Sequence, residues 1–436
     1  MPSTRWSYRA ALRLGVALVP VLGLVNPKMA EGHRRRRRSA DRLAGWAASH
    51  RDHARPLVWF HAASVGEGRQ AESVLVELRR RVPACQVVYT HFSPSAEPLA
   101  RRIDVDVSDY LPYDRPGAVE RALGSLAPDL LVFAKLDLWP ELATRAERRG
   151  AAVALVAATV SPGSGRLRRP VLDLLRPGYR AVTAAGAISE ADAARLATLG
   201  VRADRIVVTG DPRFDSVVAR VGAVQPDDPL LAVGGQGPTL VAGSTWPRDE
   251  AVLLAAFARI GPRHPEARLI LVPHEPTPEH LTALDRRAVA AGLPVPVRLS
   301  AADRPAPLLA VDRVGALATL YGAGTMAYVG GGYGKSGLHS VLEPAAWGVP
   351  VAFGPKWGES RDAGLLLAAG TAEALPEDRQ AGITRMVEIW EGWLTDESRR
   401  RTQGTRAAAI VSEGRGAAGR SADVLAELIS SRRPRT

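Results

Sequence analysis

The chain has 436 residues, too many for one ordinary hydrophobic core, so two domains are expected. It is 46% hydrophobic and 23% charged, a globular composition, and its 57 basic against 45 acidic residues leave a formal charge of +12. The charge points to anionic partners, and the single cysteine, Cys85, excludes both an intrachain disulfide and a thiolate metal cluster.

The uncharged run Leu14 to Val25 follows Trp6 and Tyr8. About 12 helical residues reach about 18 Å, short of a bilayer core of about 30 Å. Residues 1–30 are therefore expected to anchor the chain at a membrane. They would lie in the interface, or span marginally if the helix starts before Arg13 and Arg9. The basic run Arg34 to Arg38, with Arg42 beyond it, would rest on anionic headgroups. A cleaved signal peptide is the rival reading. No small-residue cleavage site follows Val25, and positive-inside logic keeps the arginines cytoplasmic. Clustering of arginine beside the anchor also argues against a nucleic-acid partner.

Beyond the anchor, short apolar runs alternate with helical patterns. The expected strands are 57–61, 86–92, 130–136, 152–160 and 184–189, then 239–245, 268–274, 294–300, 326–332 and 349–355. Continuous rather than alternating apolar runs indicate strands buried on both faces, as in a parallel sheet. The segment 221–237, rich in Pro, Gly and Asp, reads as a linker region. Two doubly wound Rossmann-like α/β domains follow, at residues 31–220 and 221–430, which would face each other across a cleft. Ligands of such sheets bind beyond the carboxyl ends of the strands.

The chemistry-bearing residues fall at those ends. "HAASVGEG" (61–68) contains Ser64 and Glu67 in the S-x-x-E spacing of a helix capping box. A carboxylate in a loop at a strand end is also a candidate general base, and spacing alone leaves both readings open. Lys135 and Asp137 follow the strand at 130–136, with Trp139 and Pro140 starting a helix. Arg213 lies in "TGDPRFDS" (209–216). In the second domain Ser244 and Thr245 end a strand, either capping a helix or binding phosphate, and His274 ends another. Gly330, Gly331, Gly332, Gly334 and Gly337 crowd the end of the strand at 326–332. They make a tight turn or a phosphate cradle, with Lys335 as a point charge. A helix from about Leu338 would add its N-terminal donors and set His339 and Glu343 on one face.

These motifs together resemble the 3-deoxy-D-manno-octulosonic acid (Kdo) transferases of lipopolysaccharide synthesis, which are inverting GT-B glycosyltransferases. The resemblance rests on "WFHAASVGEG", "YLPYD", "LDLWPEL", "TGDPRFD", "AGST", "LVPHEP" and "GGGYGKSGLHSVLEPAAWGVPVAFGP". It implies a CMP-Kdo donor, a phosphorylated glycolipid acceptor of the lipid A precursor type, the cytoplasmic face of the inner membrane, and no required metal or cofactor. It assigns Glu67 as catalytic base and His339, Ser340 and Glu343 to the CMP-binding domain. Ser64, Lys135, Asp137 and Arg213 are expected to support the acceptor or the transition state. The chain also departs from the family pattern. Lys135 replaces the first acid of the pair before Trp-Pro, Ser340 replaces an asparagine, and Ala157 and Thr159 replace the Asn and Arg of an N-A-R-x-S segment. The alternatives are a GT-B enzyme using another nucleotide sugar, or a catalytically impaired, membrane-bound homologue acting as a scaffold.

Overall fold

The structure, a computed structural model, describes residues 6–334 and 337–431. Lys335, expected to meet phosphate, lies outside the described residues. The chain divides into two compact units, one of residues 1–216 with 414–436, the other of 217–413.

The first unit opens with three helices, Trp6–Gly23, Pro27–Arg36 and Ser39–His50. Asn26 caps the second, its side chain accepting from the Met29 N–H at 3.2 Å, with Pro27 at the first helical position. Among the described residues no helix is long and apolar enough to cross a membrane, so the spanning form of the expected anchor finds no helix. The first helix instead lies on the unit. Tyr8 donates to Asp114 at 2.7 Å, and Arg9 grips buried Glu141 through two hydrogen bonds of 2.9 and 3.0 Å.

Seven strands follow: β1 (Leu57–His61), β2 (Gln86–His91), β3 (Val107–Tyr110), β4 (Leu130–Ala134), β5 (Ala152–Ala158), β6 (Ala184–Ala187) and β7 (Ile206–Val208). All pair in parallel, in the order β3-β2-β1-β4-β5-β6-β7. β1, β2, β4, β5 and β6 are buried along their whole length, which is why their sequences are apolar without alternation. The order reverses between β1 and β4, so the two strand ends at His61 and Ala134 flank the topological switch point.

The second unit repeats the plan with β8 (Thr239–Thr245), β9 (Arg268–Pro273), β10 (Val297–Arg298), β11 (Leu308–Ala310), β12 (Met326–Val329), β13 (Val351–Phe353) and β14 (Ala372–Ala374). The order is β10-β11-β9-β8-β12-β13-β14, again all parallel, with the switch point between β8 and β12. Tyr328, Phe257 and Trp390 are among the large side chains of its core.

The divisions between units differ from the expected 220/221 boundary. The helix Ala417–Ser430, expected with residues 221–430, belongs to the first unit. There Ala418, Ala422 and Leu425 join Val58, Phe60, Ala71 and Val74 in one core, beside the helix Val65–Arg81. Asp215 fixes the returning helix at its start, accepting from the N–H groups of Gly416 (2.7 Å) and Ala418 (3.0 Å).

Candidate active site

In the first unit β1 leads into Ala62, Ala63 and the helix Val65–Arg81. Ser64 is its N-cap, with extended backbone and Oγ accepting from the Glu67 N–H at 3.4 Å. Glu67 does not complete the reciprocal box. One carboxylate oxygen, Oε2, accepts from the Ala63 N–H at 3.1 Å, one residue before the cap, and Oε1 has no hydrogen-bond partner among the described residues. The half-buried carboxylate is therefore held by the helix start without being consumed by it. Gly68 lets the helix sit close on the sheet, since a Cβ there would fall 2.8 Å from both Leu99 Cδ2 and the Tyr89 hydroxyl.

β1 also supplies a group that the sequence pattern did not single out. Fully buried His61, its last residue, lies in register with Thr90 and Phe133. Its Nε2 is 2.8 Å from Asp137 Oδ2, and its Nδ1 is 3.0 Å from the Thr90 carbonyl oxygen and 3.1 Å from its hydroxyl. Burial alone would raise the Asp137 pKa. The hydrogen bond and charge of His61, with the Trp139 indole N–H at 3.2 Å, outweigh burial and hold the carboxyl below its ordinary value. An ionised carboxylate only accepts, so His61 Nε2 carries the proton in that pair. Asp137 Oδ1 keeps no partner among the described residues. Thus the ends of adjacent strands β1 and β4 each present a carboxylate with one committed oxygen and one open oxygen.

Lys135 stands between them in sequence with φ +58°, and its N–H donates to the Val156 carbonyl at 2.8 Å. Ala157 (φ +53°) and Ser244 (φ +52°) share this left-handed conformation at the ends of β5 and β8. Left-handed non-glycine residues cost about 1–3 kcal/mol each and concentrate at functional sites. The Arg213 guanidinium is engaged by neighbouring Asp211, at 2.9 and 2.6 Å.

In the second unit the β8 end carries Trp246, half-buried, which starts the helix Pro247–Ile260. Neither Ser244 nor Thr245 caps this helix. Asp249 does the capping, accepting from the Trp246 N–H at 2.9 Å. Thr245 is fully buried and donates to Glu250 at 3.2 Å, a carboxylate that also meets His280 (2.6 Å) and Arg287 (2.9 Å). Thr245 is thus a structural residue and is not open to a phosphate. His274, exposed at the end of β9, stacks on Trp246 (centroids 4.9 Å apart) and on His339 (4.5 Å). The Trp246 indole donates to His339 Nε2 at 3.2 Å. Burial, then the neighbouring His274, pushes His339 down to about 4, so it is neutral at pH 7 and able to accept.

The glycine loop after β12 is held by the same Asp249. Its Oδ2 accepts from the Gly331 N–H at 3.0 Å while Oδ1 accepts from Tyr328 at 2.8 Å. Gly331 has φ +95°, and a Cβ there would strike the Gly337 carbonyl oxygen. A Cβ on Gly330 would strike the Ser244 carbonyl, and one on Gly332 would fall 2.7 Å from Gly354 Cα. These glycines therefore serve close backbone packing, and the Gly331 N–H is already engaged within the protein. Gly334 closes a turn onto Gly331 at 3.0 Å.

The helix expected from Leu338 is absent. Gly337 adopts φ +77° and the His339 N–H donates back to Gly330 at 3.1 Å, so the helix runs only over Leu342–Ala346. His339 and Glu343 consequently do not share a helix face. Glu343 pairs with Arg220 at 2.6 Å, and Ser340 is exposed.

The family model for 3-deoxy-D-manno-octulosonic acid transferase matches residues 34–216. Over this segment the chain is similar to the Kdo transferases, and individual relatives extend the likeness along most of its length. A Kdo transferase from Bordetella pertussis is 28% identical over 387 residues, covering 84% of this chain and 86% of the relative. One from Chlamydia trachomatis is 28% identical over 309 residues, covering 69% and 70%. A UDP-GlcNAc 2-epimerase from Neisseria meningitidis, bound to UDP-GlcNAc, shares the fold, with a TM-score of 0.59 at 12% identity over 83% of this chain and 99% of that one. The two-unit α/β architecture with parallel sheets is thus that of the GT-B-like proteins, and the family match covers the unit carrying Glu67 and Asp137.

Proposed function

We propose that this chain is a Kdo transferase, which moves Kdo from CMP-Kdo to a phosphorylated lipid A precursor, with inversion and in one displacement. The reading is carried by placement. The SVGE and LDLWP motifs follow β1 and β4, and the AGST and GGGYG motifs end or follow β8 and β12, so each unit presents its motif residues at its switch point. Glu67, through its open oxygen, takes the proton of the acceptor hydroxyl as it attacks the anomeric carbon. Help of this kind is worth about 10²- to 10⁴-fold. Asp137, held ionised by His61 and Trp139, orients the acceptor, with Ser64 and Lys135 beside it. Trp246, His274 and neutral His339 hold the CMP moiety, and the glycine loop backs its phosphate. No metal or cofactor takes part in this scheme.

The enzyme works at the cytoplasmic face of the inner membrane, with the first helix lying in the interface. In support, Leu14, Leu18, Val21 and Leu22 of that helix are bare, and Arg34, Arg35, Arg37 and Arg38 are exposed beside it. A basic residue near such a surface contributes about 1 kcal/mol.

The test is transfer itself. Purified protein in detergent, given CMP-Kdo and a tetraacylated lipid A precursor, should yield an acceptor heavier by one or more Kdo residues. No product across several acceptors, with donor intact, overturns the activity. Stronger thermal stabilisation by UDP than by CMP would favour a different nucleotide sugar.

A further inference from the structure

A cavity of about 490 Å³ opens in the first unit beside the helix Trp6–Gly23, the loop after β4 and the helix Val171–Arg180. Its size falls within the range of about 300–1,000 Å³ usual for small-molecule sites. Its lining mixes two chemistries. Leu12, Val16, Val19 and Leu174 make it aliphatic, and Arg36 and Arg166 bring two guanidiniums to the same space. Asp137 and Trp139 also line it, which joins the cavity to the proposed acceptor residues.

Arg36 belongs to the run expected to rest on headgroups, yet it alone of that run turns inward. It is 6% exposed, with its guanidinium carbon 3.5 Å from the centre of the Phe92 ring and Nη2 donating to the Phe92 carbonyl at 2.8 Å. Its buried Nε has no hydrogen-bond partner among the described residues. Among the described residues neither Arg36 nor Arg166 has a carboxylate within ion-pair distance. Asp137 in the same lining attracts both guanidiniums, but one carboxylate against two cations leaves a positive excess in a partly buried space, which an anionic ligand would relieve. A purely aliphatic ligand would leave that positive excess unmet, and a small inorganic anion would leave the aliphatic wall bare.

We infer that this cavity is a binding subsite for an acylated, anionic amphiphile, with a phosphate or carboxylate at Arg36 and Arg166 and an acyl chain against the first helix. The inference deepens the proposed acceptor and rests on that reading for its biological occupant. The bonds of Tyr8 and Arg9 keep the helix over the cavity, and its bare Leu14, Leu18 and Val21 supply the apolar surface from which a lipid would enter.

The experiment uses the full chain and two photoreactive probes of equal chain length, each with a diazirine at the chain end. One is a monoacyl phosphate and the other a neutral alkyl glucoside. Adducts from the phosphate probe are expected on peptides containing Val16 and Leu174. The pair Arg36→Gln with Arg166→Gln should cut that labelling about tenfold without affecting the neutral probe. Gly15→Phe places a ring where an added Cβ meets no atom within 4 Å, and should abolish labelling by filling the cavity. Equal labelling by both probes, or no adduct on the peptide containing Leu174, would overturn the subsite. If the double arginine variant fails to fold, the neutral probe and Gly15→Phe still decide. Kdo transfer is measured in parallel. Cavity labelling without transfer sinks the activity alone, and transfer without cavity labelling sinks the subsite alone.

Discussion

Glu67 shows how a residue serves a helix start and still keeps a reactive atom. Its Oε2 is held by the Ala63 N–H at 3.1 Å, which fixes the carboxylate, and Oε1 stays open. Glu67→Gln preserves an acceptor oxygen for Ala63 but removes the basic group. The expected result is a fall in kcat of about 10²- to 10⁴-fold with a melting temperature near that of the parent. Near-normal transfer in this variant would remove Glu67 from the chemistry. Lys135 tests stored strain. At φ +58° it sits where glycine is comfortable, so Lys135→Gly should raise stability by about 1 kcal/mol in urea unfolding while slowing transfer. Lower stability would mean that its side chain, not its backbone, dominates. His339 gives a pH signature. Its folded pKa, about 4, lies below the unfolded value, so the unfolded chain binds more protons between those values. Its contribution is intact near neutrality and declines as pH falls from about 6.5 toward 4. His339→Gln, which keeps an acceptor for the Trp246 indole, should flatten the melting temperature over that window. An unchanged slope would show that His339 is not buried as described. None of the partners of these residues was readable from spacing. The S-x-x-E pattern placed Ser64 correctly but could not say that Glu67 would reach Ala63 in place of Ser64. His61 carried no sequence signal beyond ending an apolar run.

At the scale of elements, the glycine loop after β12 is a backbone device held by one carboxylate. Gly331→Ala puts a Cβ against the Gly337 carbonyl at φ +95°, so either the turn or the Asp249 bond must yield. The variant should lose stabilisation by CMP in thermal shift assays by about tenfold in apparent affinity, and hydrogen exchange should rise in the loop and the start of Pro247–Ile260 first. Undiminished CMP stabilisation would separate this loop from the donor site. The long buried strands were legible, because burial on both faces leaves uninterrupted apolar runs at β1, β2, β4, β5 and β8. β3, β7, β11 and β14 were not anticipated. They have three or four residues, and three of them are sheet edges, as with β7, where Val207 and Val208 are 49% and 36% exposed. The helix expected at Leu338 failed for a different reason. Local pattern favoured it, but the positive φ of Gly337 and the hydrogen bond from His339 to Gly330 took the backbone elsewhere.

At the scale of the molecule, the chain leaves its first unit after Ser216 and returns to it at Gly414. An amphipathic pattern states that a helix has a face to bury but not which sheet receives it, so the return of Ala417–Ser430 could not be read from sequence. Its consequence is measurable. Leu425 is fully buried in the same core as Phe60 and Val74, so Leu425→Ala should cost about 2–5 kcal/mol. That cost belongs to the unit built on β1–β7. Native-state hydrogen exchange should therefore quicken in β1, β4 and the helix Val65–Arg81, and remain at parental rates in β8, β9 and β12. Stabilisation by CMP, which the proposed function assigns to the second unit, should persist in the variant even as transfer falls. The opposite pattern, faster exchange in β8 and β9 with β1 protected, would assign the final helix to the second unit and restore a single crossing between them.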